Sequence, residues 1–596
     1  MLKNIFITIL LICSVLVVWG QKSVKVKVSG NIITTDGVPA EFINIQLKNT
    51  FYGGTSDGKG YFEFMAPAGQ YTMIVQSIAA HRREFPVTIE EGKENHFADI
   101  EIRENVNQLE QVVVTGQFSP QSMRNSLYKV RTVNSEQIRQ KAPTSVQSLL
   151  NTEIGIRLSN DMALGETDFE LMGMSGNNVK ILLDGIPLID RGATKQSLSQ
   201  LDVNSIERVE IVEGPMSVVY GTDALAGVIN IITKKGDGYS EENTWRVGAR
   251  VQEESMGKEY DFFKDKGLHN ESIDLGFNHK SGLFVNGGYT RNNHGGWQGD
   301  LTGREKRWHP KDQALMNGMF GFQNRNMNVW YRLDFLDEKI FGPNNGSELQ
   351  PEKVSDKDFL TKRYTHQLQS DWKLDNRLDV HAALSYQDYK RRTRTTESDL
   401  STGEKWLSSA EASQDITQYK AWIARATVAW NIAPEFSVQP GVEYQWTQGE
   451  GGRIDGTPKV SDLAFFLSAE YKPWEWLSLR PGVRTFIVAD YDAPIAIPSV
   501  LTKFKLTKHM DLRLSYAYGF RSPTLQELYF SFHNDNHDID GNPDLKAEYS
   551  HNITGSVAYR VLHSEKIHLT TTLSGFYNDF RDKISLAQNV DIPNYN

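Results

Sequence analysis

Cysteine is almost missing from this chain: the only one, Cys13, lies inside the apolar opening run. That excludes a disulfide framework, a thiolate metal site and a cysteine nucleophile from the remainder. Positive charge is not in surplus either, and a net charge of −10 argues against a nucleic-acid partner. After the opening run no stretch approaches the ~18 consecutive apolar residues of a membrane-crossing helix. No nucleophile–base set and no complete metal site can be assembled, so the residues point away from an enzyme. What is present begins with "MLKNIFITILLICSVLVVWGQ". Lys3, the apolar run Ile5 to Trp19 and the small Gly20 read as a secretory signal peptide, residues 1–20. For an exported, acidic chain rich in Tyr, Trp and Gly, the membrane option left open is a β-barrel.

Residues 21–104 alternate as short strands, separated by turn chemistry at Thr35-Asp36-Gly37 and Asp57-Gly58-Lys59-Gly60. The spacing predicts a small β-sandwich of about seven strands. His81 and Glu84 mimic a His-x-x-Glu zinc pair, but without a third ligand they read as a solvated turn. Residues 105–118 form a polar linker with one extended run, Val112 to Val114, suited to strand addition by a partner. In 119–240, Ser135 and Thr144 are expected to cap two short helices, and "VKILLDGIPL" and "IERVEIVEG" read as buried strands. Gly173, Gly176, Gly185 and Gly214 are expected at tight turns. The stretch "EGPMSVVYGTDALAGVINIITKK" has the glycines of a phosphate loop. The β-branched strand behind them, where a helix would have to start, rules that out.

From about residue 241, short polar turns recur at 278–282, 323–326, 374–377, 431–435, 472–476, 506–510 and 562–566 between alternating segments. Polar stretches such as Asp334–Tyr364 and Asp388–Tyr419 read as long outward-facing loops. A strand near Trp245–Glu254 and seven hairpins amount to about fifteen membrane strands.

"LLDGIPL" followed by "SIERVEIVEGPMSVVYGTDALAGVINIITKK" resembles the plug of the TonB-dependent outer-membrane receptors, and "LEQVVVTG" stands where that family carries its TonB box. The first domain resembles the carboxypeptidase-regulatory-like domain. The resemblance implies a mainly β fold: a transmembrane antiparallel β-barrel of about twenty-two strands, an internal α+β plug and an N-terminal β-sandwich. The expected domains are 21–104 (sandwich), 105–118 (linker), 119–240 (plug) and 241–596 (incomplete barrel). The odd strand count and the ending "DIPNYN" lead to the expectation of a longer parent receptor. Gly214, Pro215, Tyr220, Gly221, Gly227 and Asn230 are the plug-motif positions, with Gly214, Gly221 and Gly227 expected at tight turns. Leu109, Glu110, Gln111, Val112, Val113, Val114 and Thr115 are the expected grip of the inner-membrane TonB complex. Where the family often has Arg-Gly this chain has Met172-Gly173, which leaves the wall contact of the plug to other residues.

"FRSP" and "NPDL" in 519–550 resemble paired boxes of haem and siderophore receptors, in what the strand count makes the seventh outward loop. Arg521, Tyr529, His533, His537, Asn542 and Asp544 are the candidate ligand contacts. His533 and His537 suit haem iron, yet residues 105–240 contain no histidine to face them from the plug. Haem and a ferric siderophore therefore stand level as the transported ligand, ahead of cobalamin, with no permanent cofactor. A calcium loop at Asn536, Asp538, Asp540 and Gly541 fails at Ala547, where the bidentate glutamate belongs. The plug apex near Asn160–Thr167 is expected to meet the ligand. Expected partners are the TonB complex, outer-membrane lipid, an iron compound and a surface lipoprotein. A passive porin or an adhesin is the rival, and it would be indifferent to loss of Leu109–Thr115.

Overall fold

The computed structural model describes residues 25–585 apart from short breaks, the longer of them 35–38, 103–111, 117–120, 123–125, 161–166, 190–195, 237–241 and 564–567. The expected signal peptide, the expected turn at Thr35-Asp36-Gly37, Leu109 to Gln111 and the centre of the expected plug apex therefore lie outside the described residues. Two compact units divide at Val112 and Val113. Among the described residues no helix is long and apolar enough to cross a membrane.

The first unit holds seven strands between Lys25 and Ile102, in a three-stranded and a four-stranded sheet. In Tyr61–Pro67 every second residue is buried, which is how a half-covered strand meets an apolar core of Val28, Ile45, Phe62 and Met73. Glu84 pairs with Lys48 at 2.8 Å, and the side chain of His81 lies outside the described residues.

In the second unit a five-stranded mixed sheet runs in the order Lys129–Asn134, Ile206–Glu213, Gly227–Thr233, Val179–Leu183, Ile186–Pro187. Gly227–Thr233 is buried at every position, as expected of a central strand covered on both faces. The helices are capped one residue away from the expected positions. Asn134 caps Ser135–Lys141 in a capping box with Gln137, and Ser145 caps Val146–Leu150. The reason is geometric: a cap must stay extended while its side chain reaches the third helical amide. Gly185 and Gly214 take positive φ at turns (84° and 103°), whereas Gly176 opens a 3-10 turn with ordinary φ. Gly221 fits its expected turn, with φ of 73°. Gly227 is needed for a close approach instead, since a Cβ there would sit 2.1 Å from the Val212 carbonyl oxygen.

Around this body runs a 16-stranded antiparallel sheet from Thr244–Glu254 to His568–Arg581, in which Lys405–Leu407 pairs off the main path. Each expected turn falls at the junction of two consecutive strands, for example Leu283 after Asn278 and Leu378 after Lys373, and 564–566 of the last one lie outside the described residues. Its burial is reversed relative to a soluble sheet. Trp245, Val247, Leu275, Phe320, Leu514 and Leu573 are exposed, while Gln313, Gln367, Gln387, Arg480, Arg484 and Asn552 are buried. Apolar residues face outward and polar ones inward, the pattern of a strand wall in lipid. Trp474 and Trp476 stack at 5.2 Å beside Phe504 near the short turns, where an aromatic girdle meets the interface.

The expected loops Asp334–Tyr364 and Asp388–Tyr419 are a correction. Met327–Gly342, Lys353–Lys373, Leu378–Asp399 and Ile416–Ala433 are strands, leaving only about ten and sixteen residues between them. Antiparallel pairing carries on beyond the apolar band, where both faces are polar and alternation no longer marks a strand.

Candidate functional site

On the short-turn side, the linker is set into the plug sheet. Glu210, on the strand Ile206–Glu213, is fully buried. Its carboxylate accepts from the Val114 amide at 3.1 Å, the Thr115 amide at 2.8 Å, the Thr115 hydroxyl and Arg208 Nε at 2.8 Å. Asn230 stands directly across the sheet from Glu210. It donates to Thr115 Oγ1 at 2.9 Å and accepts from the Gly185 amide at 2.9 Å. Gly116 donates to the Tyr220 hydroxyl at 3.2 Å, and Arg480 Nη1 donates to its carbonyl at 2.6 Å. Val113 is buried among Tyr128, Val212, Met216 and Val228. Tyr220 and Asn230 thus form a socket for Val113 to Gly116, while Gly214 and Pro215 shape the turn behind it. Glu210 was not singled out from sequence, although a carboxylate within the apolar run "VEIV" was the available signal. Beside the socket is a cavity of about 760 Å³, lined by Gly116, Tyr220 and Asn230 and by Lys373, His381 and Arg425 of the wall.

The plug's wall contact comes from arginines of the sheet, not from a plug arginine at Met172. Arg425 and Arg484 share Glu443 at 2.6 and 2.7 Å. Arg484 also packs on Gly221, where a Cβ would come within 3.0 Å of Nη2. Met172 instead holds φ of 53° and packs on the plug core.

On the long-loop side, Arg521 is fully engaged. It donates to Glu548 at 2.9 and 3.0 Å and to Glu527 at 2.8 and 3.0 Å. Thr524 caps Leu525–Tyr529 in a box with the same Glu527, so this cation builds the loop. Asn542 donates its amide to the Glu527 carbonyl at 3.0 Å and accepts from the Asp544 amide at 2.9 Å. Tyr529 is half-buried, its carbonyl accepting from the Asp455 amide at 2.9 Å. The FRSP segment is stitched to the plug: Ser522 N donates to Thr222 Oγ1 at 2.7 Å and Asp223 N to the Phe520 carbonyl at 3.2 Å. A cavity of about 150 Å³ opens there against Lys180 and Tyr491. Burial pushes the Lys180 ammonium below its ordinary range, while Asp223 pulls it back. His533 has Asp538 on Nδ1, and Asp540 lies 3.1 Å and Ser531 Oγ 3.0 Å from Nε2. The hydrogen bond to Asp538, helped by Asp540, raises its pKa. The side chain of His537 lies outside the described residues.

On the strand Lys353–Lys373, Arg363 is 5 % exposed, and among the described residues none of its three nitrogens has a hydrogen-bond partner. Its guanidinium lies over the Tyr389 ring at 5.0 Å. On the next strand, one rung outward on the same face, Arg391 lies over Phe359 at 4.6 Å. Tyr419 continues the aromatic lining, 6.4 Å from Tyr389. Each of these residues lies in 334–364 or 388–419, polar stretches that read as loop from the sequence and are largely strand in the fold.

Three family models match: TonB-dependent receptor plug domain at residues 122–228, TonB-dependent receptor-like β-barrel at 439–596, and CarboxypepD_reg-like domain at 28–114. An iron-regulated outer membrane virulence protein of Vibrio cholerae is 25% identical over 508 residues, 80% of this chain and 69% of that protein. The vitamin B12 transporter BtuB of Vibrio vulnificus is 32% identical over 139 residues, 23% of each chain. Among solved structures, the ferric enterobactin receptor PfeA of Pseudomonas aeruginosa superposes with a TM-score of 0.57 at 17% identity, covering 76% of this chain and 71% of that one.

Proposed function

The chain carries the plug and the barrel of the TonB-dependent outer-membrane receptors, and on that premise we propose that it imports an anionic ferric chelate of the siderophore type. The observation that carries this is Arg363: a buried guanidinium with no hydrogen-bond partner among the described residues is costly unless an anion arrives to pair with it. Arg391, Tyr389 and Tyr419 add cationic and aromatic groups close by, suited to flat, negatively charged chelating groups, and Tyr419 borders the cavity of about 150 Å³. The relatives in Vibrio cholerae and Pseudomonas aeruginosa, described as iron-regulated and as a ferric enterobactin receptor, agree with this class. Haem ranks lower, because residues 105–240 hold no histidine to face His533 from the plug.

Coupling runs through the linker socket. The TonB complex takes Leu109 to Thr115 by strand pairing, and its pull is transmitted through Glu210, Asn230 and Tyr220 to the plug sheet. Side chains bind and release here; no bond of the cargo is made or broken by the chain.

The test is binding and uptake of iron-labelled chelates by the receptor as encoded by its whole gene. A trianionic ferric catecholate, a neutral ferric hydroxamate and hemin are compared with and without Arg363→Ala. Losing one charge-assisted contact of about 1.5–3 kcal/mol weakens the anionic chelate about 10- to 150-fold and leaves the neutral one unchanged. Equal affinity for all three, or indifference to Arg363→Ala, would reject the anion reading. Deleting Leu109–Thr115 abolishes uptake but not binding; a porin or adhesin would not respond.

A further inference from the structure

The seventh outward loop carries a two-stranded ribbon, Ser531–Asn534 paired with His537–Asp540. His533 pairs directly with Asp538, and Ser531 with Asp540. Because directly opposed residues share a face and alternate residues along a strand do too, Ser531, His533, Asp538 and Asp540 all stand on one side. The other side is held down. Arg453 lies 3.7 Å over the Phe532 ring, and the Ser531 amide donates to the Arg453 carbonyl at 2.9 Å. At the foot of the ribbon the Gly541 amide donates to the Phe530 carbonyl at 2.7 Å. The polar face is therefore turned to solvent on an anchored support, and His533, Asp538 and Asp540 are all exposed.

We propose that this face binds one divalent transition-metal ion of the zinc, nickel or copper class, with His533 Nε2 and the Asp540 carboxylate as ligands and Asp538 orienting the ring. One ligand atom from each of His533, Asp538 and Asp540 lies within 4.8 Å of the other two. Two ligands that each sit about 2.1 Å from one ion are about 3.0 Å apart at the right angles of nickel or copper and about 3.4 Å apart at the tetrahedral angle of zinc; Nε2 and Asp540 Oδ1 are 3.1 Å apart. Ser531 Oγ, 3.0 Å from the same nitrogen, offers a further oxygen. Asp538 on Nδ1 completes a carboxylate–histidine–metal arrangement, in which the far carboxylate fixes the tautomer and aims Nε2 at the ion. An imidazole paired with carboxylate selects this class over calcium or magnesium, which prefer oxygen alone. Water fills the remaining positions on this exposed face. The rest of the ligand lumen is not involved, so the site stands whether or not the anionic-chelate reading holds.

Calorimetric titration of the detergent-solubilised receptor with Zn²⁺ and with Ni²⁺, each against a Ca²⁺ control, tests it. The expected result is one saturable site for Zn²⁺ and Ni²⁺ that is absent in His533→Ala and in Asp540→Asn. Asp538→Asn, which alters only the orienting contact, weakens it about 10- to 100-fold. Heat-modifiable migration on gels checks that each variant keeps its strand wall, and a variant that loses it is replaced by His533→Gln. Binding that survives His533→Ala, binding of Ca²⁺ with equal affinity, or no saturable binding at micromolar ion would each overturn the proposal.

Discussion

In the plug, Val209, Ile211, Ile229 and Ile231 are turned into an apolar core. In the wall around it, Gln367, Gln387, Arg480 and Arg484 are the buried residues, while Trp245, Val500 and Leu573 are out in the open. Where the two meet, wall side chains donate to plug backbone. Gln367 reaches the Leu183 carbonyl at 3.2 Å, Gln369 that of Asp184 at 2.9 Å and Gln387 that of Pro187 at 2.7 Å. Such contacts can be exchanged for water at small net cost, whereas parting two apolar cores cannot. Apolar contacts join the two as well, Val218 against Phe466 and Ile497 and Ile186 against Ala383 and Ile423, so moving the plug must part these while its own core and the wall stay intact.

The comparison can be broken most severely in the plug core. Ile229→Ala is expected to destabilise the plug by about 2–5 kcal/mol, read as faster limited proteolysis of residues 119–240 with the wall still heat-modifiable. Equal loss of both would mean that plug and wall unfold together. On the outward face the opposite substitution does the damage: Val500→Arg, near the middle of the apolar band, should cost about 2–4 kcal/mol of wall stability in denaturant titration in lipid. Glu210→Ala removes a charged acceptor worth about 1.5–3 kcal/mol. Hydrogen exchange of the Val114 and Thr115 amides should speed by 10-fold or more while the Ile229 and Ile231 amides stay protected. Gln387→Ala, a wall-to-plug contact, should cost about 1 kcal/mol and be seen only as faster exchange near Ile189. Smallest of all, Arg291→Ala breaks a half-exposed pair with Asp312 and is expected to shift wall stability by at most about 0.5 kcal/mol.

Two arginines show how far the sequence could be read. Arg521 was noticed for its FRSP context, yet its four hydrogen bonds to Glu527 and Glu548 make it a loop clasp. Arg363 lies in no such motif, and among the described residues its guanidinium is left without a hydrogen bond. Nothing within a few residues of either distinguishes them. The partners of Arg521 lie 6 and 27 residues away, and the burial of Arg363 depends on strands registered across the wall. The same holds for Glu210, whose linker contacts are 95 and 96 residues distant in sequence.

Turns, alternating outward apolar positions and the buried strands of the plug were determined by the sequence itself, because each rests on neighbours a few residues apart: a Gly or Asn at a reversal, a period of two along a strand. Which strands continue past the apolar band, where Val113 to Gly116 are held, and which buried charges find partners were decided only in the tertiary structure. Pairing and burial of a charge depend on register between distant strands, and no local pattern encodes that register once both faces of a strand are polar.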